Sequence, residues 1–186
     1  MFDIRSLAQL NSEDLHRLVT GYTSDAKYQI SKTESDREFA LAQDLVSLPQ
    51  LYRKRFDHLN AETLEHYQHV AAFGFSFGAY AAEQCVGIAL AEPRFWNRSL
   101  WVWELDVAET YRRRGVGWQL VNALAEKARV AGLRTLVCET QNTNMPAIRF
   151  YRRVGFQIEG IDLSYYSNDN FPDGEIALFM KKRLTP

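Results

Sequence analysis

The spacing of hydrophobic residues changes character near residue 71. Between residues 39 and 70, apolar residues recur mostly at intervals of three and four, which is typical of an amphipathic helix. Over 73–80, large and small residues alternate, which is typical of a strand. The sequence therefore predicts a helical region 39–70, divided near Pro49 and Asn60, followed by a region that begins with strands.

The rest of the pattern predicts strands and helices in mixed order. Strands are expected at 2–6, 28–30, 73–80, 85–91, 100–107, 133–140, 157–166 and 176–182, and helices after Asn11 and over 116–130 and 144–154. Short turns join the strands between 73 and 107, so these should be antiparallel neighbours. The order predicts an α+β fold with a mixed, mostly antiparallel central sheet flanked by helices, and not a doubly wound sheet.

The composition fits one globular domain spanning residues 1–186. The chain is 46% hydrophobic and its net charge is −1, so no overall basic field favours a nucleic-acid partner. No apolar run reaches about 18 residues, so no membrane span is expected. Cys85 and Cys138 lie in apolar runs without metal or redox spacing. We expect buried thiols and, with no signal-like start, a cytoplasmic protein.

A basic, glycine-containing turn lies between a predicted strand and the helix 116–130. Its residues are Arg112, Arg113, Arg114, Gly115, Val116 and Gly117. The start of a helix binds anions through its exposed N–H groups, and glycines let a phosphate approach the backbone closely. The turn lacks the Lys and Ser/Thr of a Walker loop and the third glycine of a dinucleotide fingerprint. A solvated basic turn is the alternative interpretation.

This turn resembles the acetyl-CoA-binding motif of the GNAT N-acetyltransferase superfamily. The spacing Arg112-x-x-Gly115-x-Gly117 matches that motif, and residues 144–156 resemble the second half-motif of the family. The resemblance covers about 70–183 well. Within the family, residues 138–144 and 163–168 are similar to streptothricin acetyltransferases. Glu139 and Asn144 also resemble positions of ribosomal-protein alanine N-acetyltransferases.

The resemblance implies the GNAT fold and direct attack of an amine on acetyl-CoA, without an acyl-enzyme. It implies a CoA-binding core at 71–183 and a variable, substrate-shaping region at 1–70. The backbone of the basic turn would hold the pyrophosphate, and its arginine side chains would either reach the 3′-phosphate or face water. The other cofactor-binding candidates are main-chain groups of Leu105 and Val107, and Asn144, which is in any case a plausible helix N-cap. The amide of Val107 would stabilise the thioester oxygen.

Tyr151 and Glu139 are the catalytic candidates. Tyr151 would protonate the departing thiolate, or it is a tyrosine packed in the core. Glu139 would accept the proton of the substrate ammonium, or it is a carboxylate at a strand end that binds an arginine.

The substrate-binding candidates are Glu104, Asp106, Tyr165 and Tyr166. Glu104 and Asp106 lie two apart and share one face of a strand, where they could attract a cationic amine, supply the base or form a solvated face. Trp101 and Trp103 are expected to pack in the core, with substrate stacking as the alternative. The four histidines have no metal-ligand spacing, so no metal is expected.

Three functions remain open on the sequence alone. The first is acetylation of a small cationic amine, such as a streptothricin-like antibiotic, whose charges suit Glu104, Asp106 and Glu139. The second is acetylation of a protein or peptide N-terminus, which needs an open groove that a helical region 39–70 would narrow. The third is a non-catalytic acyl-CoA-binding module, against which Tyr151 and the base candidates count. The resemblance also makes a homodimer a candidate assembly.

Overall fold

A computed structural model describes residues 2–184. In chain order the elements are β1 (Asp3–Ser6), α1 (Ser12–Leu18), β2 (Gly21–Glu34), β3 (Phe39–Arg55), α2 (Ala61–Ala72), β4 (Phe77–Ala81), β5 (Gln84–Arg94), β6 (Ser99–Val107), α3 (Val116–Val130), β7 (Thr135–Gln141), α4 (Met145–Arg153), β8 (Gln157–Asp162) and β9 (Ala177–Arg183). The described residues form two compact units. The first contains 2–20, 55–138 and 182–184, and the second contains 21–54 and 139–181.

In the first unit, β1, β4, β5 and β6 are antiparallel neighbours in that order, and β6 pairs in parallel with the first half of β7. β5 is central and is buried on both faces over most of its length. Helices α1, α2 and α3 pack against it. The core residues around α1 and α2 include Leu15, Leu18, Val70, Ile88 and Leu90. Burial of these apolar side chains is the main stabilising term of this unit.

In the second unit, β2 and β3 form a separate two-stranded ribbon, and β8 pairs with β9 in antiparallel orientation. Helix α4 packs against β2. Asn142 connects these parts, because its side chain donates to the carbonyl of Tyr28 at 2.8 Å and accepts from the amide of Ile176 at 2.9 Å. Asn142 is buried, so both bonds satisfy polar groups that lie away from water.

The prediction of a helical region 39–70 is wrong for its first half. Residues 39–55 form the strand β3, and only Ala61–Ala72 is helical. The intervals of three and four between apolar residues do not mark a buried helix face, because Leu45 is 56% exposed and Leu51 is 59% exposed. These residues lie in a ribbon, and pairing between its two strands satisfies backbone groups that a helix would satisfy internally.

Most of the other predicted elements are present with small shifts at their ends, but β2 extends over Gly21–Glu34 where only 28–30 was predicted, and β4 begins at Phe77 and not at residue 73. Helix α3 has the predicted bounds, and α1 begins after Asn11 as expected. The predicted strand 157–166 is shorter, since β8 ends at Asp162. Cys85 and Cys138 are buried thiols, as predicted. The predicted α+β class with a mostly antiparallel sheet is confirmed.

Candidate active site

The basic turn between β6 and α3 is exposed, and close packing fixes its position. A β-carbon at Gly87 of β5 would lie 3.0 Å from Cγ1 of Val116 and 3.1 Å from the carbonyl oxygen of Asp106. Glycine at 87 therefore lets the first turn of α3 approach β5 closely. Arg112, Arg113, Arg114 and Gly115 are all exposed. The turn is thus accessible to an anionic ligand.

The turn uses left-handed backbone at two positions, and only one of them is a glycine. Gly115 has φ +86° and Arg113 has φ +62°. A left-handed non-glycine residue costs about 1–2 kcal/mol, and such residues are concentrated at ligand-binding turns. Gly117 lies inside the first turn of α3 and has no positive φ. Gly117 therefore needs no unusual torsion, and it is the small size of this residue that is relevant to the approach of a phosphate.

Helix α3 begins without a side-chain cap, unlike the other three α-helices of residues 2–184. Asn11 accepts from the first-turn amides of α1, Asn60 from those of α2 and Asn144 from those of α4. At α3 the N-cap is Gly115, which offers no side-chain acceptor. The first amides of α3, with the positive end of the helix dipole, are therefore available to an external anion.

Two of the three arginine side chains of the turn have contacts within the first unit. Nε of Arg112 donates to the carbonyl oxygen of Val107 at 3.0 Å, and Cζ of Arg114 lies 5.5 Å from the centroid of the Tyr111 ring. The carbonyl of Val107, which was expected to pair with pantetheine, thus already accepts one hydrogen bond. The role expected for the Val107 amide at the thioester stays a prediction.

Strand β6 is paired on both sides only at its beginning. Its pairing with β7 extends from Ser99 to Val102, opposite 135–138. From Leu105 to Val107, its pairing among the described residues of this unit is with β5 alone. The pairing of β5 with β6 also shifts its register between Leu90 and Ala91, next to the point where the pairing of β6 with β7 ends. The main-chain groups predicted to bind pantetheine therefore lie on a strand segment with one unpaired edge, where an extended ligand can add like another strand.

Glu104 lies in a cluster of side chains from β6, α2 and the segment before α2. The hydroxyl of Tyr67 donates to Oε1 of Glu104, and Nε2 of His58 lies 2.9 Å from the same oxygen. The Glu104 side chain is only 11% exposed, whereas that of His58 is 39% exposed. Burial and the Glu104 carboxylate raise the pKa of Tyr67, so Tyr67 remains a hydrogen-bond donor. The interpretation of Glu104 as part of a solvated face is wrong.

Asp106 is electrostatically linked to Glu104, as their two-residue spacing suggests. Burial raises the pKa of Asp106 well above its ordinary value, and the neighbouring Glu104 carboxylate raises it further, while Arg112 lowers it. Asp106 therefore keeps a proton at pH values where an exposed aspartate has lost it. Trp101 and Trp103 pack edge to face nearby on the strand, with ring centroids 5.9 Å apart.

In the second unit, Tyr151 lies on α4 and is 8% exposed. Its ring packs against Phe156, with centroids 5.1 Å apart, and against Phe150 at 5.6 Å. Asn144 begins this helix and accepts from the amide of Ala147 at 3.2 Å, so the predicted N-cap is confirmed. The cap fixes the start of α4 two turns before Tyr151.

Glu139 and Tyr166 were predicted separately, and the structure brings them together. The hydroxyl of Tyr166 donates to Oε1 of Glu139. Burial and the Glu139 carboxylate raise the pKa of Tyr166. Tyr165 is 47% exposed and packs on Phe179, with centroids 5.4 Å apart. Both tyrosines lie in the loop after β8 and not on the strand.

Glu175 is a residue that the sequence analysis missed. Its carboxylate accepts hydrogen bonds from the hydroxyl groups of Tyr22, Tyr52 and Thr143 and from the ammonium group of Lys54. These partners are separated from Glu175 by 32 to 153 positions in the chain. No local motif could have revealed them.

Residues 2–184 contain neither a metal-ligand cluster nor a helix suited to cross a membrane. No set of three or more His, Cys, Asp and Glu side chains is arranged to hold a metal ion. None of the helices there has the length and apolar character needed to cross a membrane.

Comparison with known proteins identifies the family. The model of the acetyltransferase (GNAT) family matches residues 42–156, which include the basic turn and the whole second half-motif at 144–156. The chain belongs to the GNAT acetyltransferase family. It is accordingly an acetyl-CoA-dependent N-acetyltransferase, as the resemblance of its motifs implied.

The similarity to individual GNAT proteins extends over nearly the whole chain. The chain is 28% identical to streptothricin acetyltransferase of Streptomyces lavendulae over 180 residues, which cover 96% of this chain and 93% of that protein. It resembles the crystal structure of nourseothricin acetyltransferase with a TM-score of 0.78 at 28% identity, covering 99% of both chains. A structure from Bacillus anthracis str. Ames in complex with acetyl coenzyme A shares the fold, with a TM-score of 0.75 at 22% identity, covering 98% of this chain and 99% of that one.

Proposed function

We propose that this protein transfers the acetyl group of acetyl-CoA to a primary amine of a small, polycationic molecule of the streptothricin class. The observation that carries the proposal is the likeness to streptothricin acetyltransferase over 96% of the chain. That likeness extends well beyond residues 42–156, which the family model covers. Residues 1–70 include the part that we expect to shape the acceptor site, so a match there bears on the acceptor and not only on acetyl-CoA.

Acetyl-CoA would bind at the basic turn and along β6. The uncapped amides at the start of α3, from Gly115 to Gly117, would hold the pyrophosphate. Main-chain groups of Leu105 and Val107 would pair with the pantetheine arm, and Asn144 would add a polar contact. The Val107 amide would donate to the thioester oxygen as negative charge develops there. Support comes from the exposure of the turn and the unpaired edge of β6.

The chemistry requires two proton transfers. The acceptor enters as an ammonium ion and must lose a proton before its nitrogen can attack the thioester carbon. The new C–N bond forms as the C–S bond breaks, and the departing thiolate takes a proton. Glu139 is our candidate for the first transfer, with Glu104 as the alternative, and Tyr151 is the candidate for the second. A neutral phenol is required for the latter role.

The experiment measures thiol release from acetyl-CoA in the presence of individual amines. Streptothricin, a simple monoamine and a short peptide with a free N-terminus form the panel, with a reaction lacking amine as the background. We expect release with streptothricin at least tenfold above that with either other amine, and mass spectrometry should show one added acetyl group. Preference for the peptide, or release at the background rate with streptothricin, would contradict the proposal.

A further inference from the structure

The two carboxylate oxygens of Glu175 have different partners. Oε1 accepts hydrogen bonds from the hydroxyl groups of Tyr22, Tyr52 and Thr143, each at 3.1 Å. Oε2 binds Nζ of Lys54 in an ion pair. The first oxygen thus connects parts of the chain, and the second balances a charge. Because the two roles fall on different atoms, they can be separated by substitution.

Lys54 lies beside the pair of residues expected at the acceptor site. Its Nζ is 5.7 Å from the centroid of the Tyr166 ring, and the hydroxyl of that ring donates to Glu139. The Lys54 side chain is 27% exposed and that of Glu175 is 19% exposed, so neither charge is fully solvated. Charges that are partly buried and closer than about 10 Å are weakly screened by salt. An unbalanced ammonium at Lys54 would therefore repel a cation approaching Glu139.

We propose that Glu175 is a specificity-determining residue for cationic acceptors, because its ion pair with Lys54 cancels the positive charge beside Tyr166 that would otherwise repel an ammonium group approaching Glu139. The inference rests on the proposed function. The inference extends the proposed function by naming residues of the β2–β3 ribbon and of the loop before β9 that set the charge of the acceptor site.

The ionisation state of Glu175 fits this role. Burial alone would raise the pKa of Glu175, but the Lys54 ammonium and the hydroxyls of Thr143 and Tyr22 outweigh burial and lower the pKa below its ordinary value. The carboxylate is therefore charged at neutral pH. The same charge raises the pKa of Tyr52 to about 12, after burial as the larger cause, so that hydroxyl remains a donor.

The test begins with Glu175→Gln. The glutamine oxygen can still accept from the three hydroxyl groups, whereas its NH₂ group cannot accept from Lys54. The three hydroxyl contacts are thereby kept, while the Lys54 ammonium loses its acidic partner. We expect the KM and the Kd for streptothricin to rise about tenfold, while the KM for acetyl-CoA changes by less than about twofold.

The decisive variant adds Lys54→Met to Glu175→Gln. Removing the ammonium should return the Kd for streptothricin to within about threefold of the wild-type value, because no uncompensated positive charge remains. Loss of a purely structural bond would not be rescued in this way. The matched control is Glu159→Gln, which removes the acidic partner of Lys181, 3.6 Å away in the β8–β9 pair, and should leave the Kd unchanged.

Calorimetry with streptothricin, run beside the thiol-release assay, distinguishes the outcomes. A double variant as weak as Glu175→Gln, or an unchanged Kd in Glu175→Gln, would overturn the inference. If Glu175→Gln does not fold, Lys54→Met alone decides, because it should bind streptothricin as tightly as the wild type or more tightly, and weaker binding would overturn the inference.

Wild-type protein that binds streptothricin without acetylating it would refute the proposed function, and the Kd series would still decide the role of Glu175. Wild-type protein that does not bind streptothricin would refute both.

Discussion

At the scale of single residues, the carboxylates of the candidate site differ in the groups that surround them. The Glu175 carboxylate accepts hydrogen bonds from three hydroxyl groups and an ammonium group. The Glu104 carboxylate accepts a hydrogen bond from a phenol and lies within hydrogen-bond distance of an imidazole. A carboxylate with many donors is stabilised in its charged form and is a weaker base. Because of this difference, we expect Glu175 to neutralise the charge of Lys54. Glu104 and Glu139 are left as the candidates for accepting a proton.

Removal of the Tyr151 hydroxyl tests the role of the candidate acid. Tyr151→Phe keeps the ring packed against Phe156, so the fold and the binding of acetyl-CoA should be preserved. We expect kcat to fall at least tenfold because the thiolate would leave without a proton donor. Steady-state kinetics and calorimetry with acetyl-CoA provide the measurement. A variant that turns over at the wild-type rate would exclude Tyr151 from the mechanism.

Asp106 should make the stability of the fold depend on pH. Its pKa is higher in the folded chain than in the unfolded chain, so its stabilising contribution is complete below the unfolded pKa and is lost as the pH rises through the folded pKa. Over that window the wild type should lose up to about 1.4 kcal/mol of unfolding free energy per pH unit from this group. Asp106→Asn should remove that slope in urea unfolding measured from pH 4 upwards. Equal slopes for both proteins would show that Asp106 is ionised normally.

Sequence patterns predicted those residues of the candidate site that belong to local motifs, and missed those defined by contacts. Gly115, Asn144 and Tyr151 could be predicted because each occupies a fixed place at or within a helix. Glu175 could not, because its partners come from distant segments and a loop pattern says nothing about them. The contact between Tyr166 and Glu139 was missed for the same reason, although each residue was a candidate by itself.

At the scale of elements, prediction succeeded where one face of an element is buried. Helix α3 buries Leu120, Val121, Leu124 and Ala128, and this stripe gave its bounds correctly. Strand β3 has no fully buried face, since all of its residues are exposed or partly exposed. Its leucines happen to lie three and four positions apart, and without a buried face to select the period of two, the pattern favoured a helix.

The start of α3 is the element on which acetyl-CoA binding should depend. Gly117→Asp would place a carboxylate beside the uncapped amides that we expect to hold the pyrophosphate, so the Kd for CoA should rise at least tenfold by charge repulsion. The matched control is Val130→Asp, which adds the same charge at the exposed last residue of the same helix, roughly 20 Å away. Calorimetry with CoA should show normal binding for the control. Equal affinity in both variants would contradict the pyrophosphate assignment.

At the scale of the whole molecule, the composition predicted enough apolar surface for a core. It could not predict how the segments of the chain are divided between the two compact units. Each of the two compact units contains segments from both ends of the described chain, with 21–54 joining 139–181 in the second unit. Hydrophobic periodicity is a local property and cannot show which distant segments meet. The local pattern therefore predicted the α+β order of the elements, but not which distant segments pack into one unit.

Tyrosines in both units should make the molecule unstable in alkali. Tyr67 of the first unit and Tyr22 of the second are buried, and burial raises the pKa of each, with a further increase from the nearby Glu104 and Glu175 carboxylates respectively. A phenol whose pKa is higher when folded contributes full stability below about pH 10 and loses it as the pH rises further, at about 1.4 kcal/mol per pH unit.

Unfolding at alkaline pH should therefore coincide with ionisation of these two buried phenols, measured as the difference in ultraviolet absorbance between the wild type and the Tyr67→Phe or Tyr22→Phe variant, together with circular dichroism. Tyr67→Phe and Tyr22→Phe should each reduce the loss of unfolding free energy per pH unit above about pH 10 by about that amount, while Tyr165→Phe, at a site 47% exposed, should leave it unchanged. If that absorbance difference developed while the circular dichroism of the folded chain persisted, these two hydroxyls would be accessible to solvent. The hydrogen bonds that we assign around Glu104 and Glu175 would then be wrong in both units.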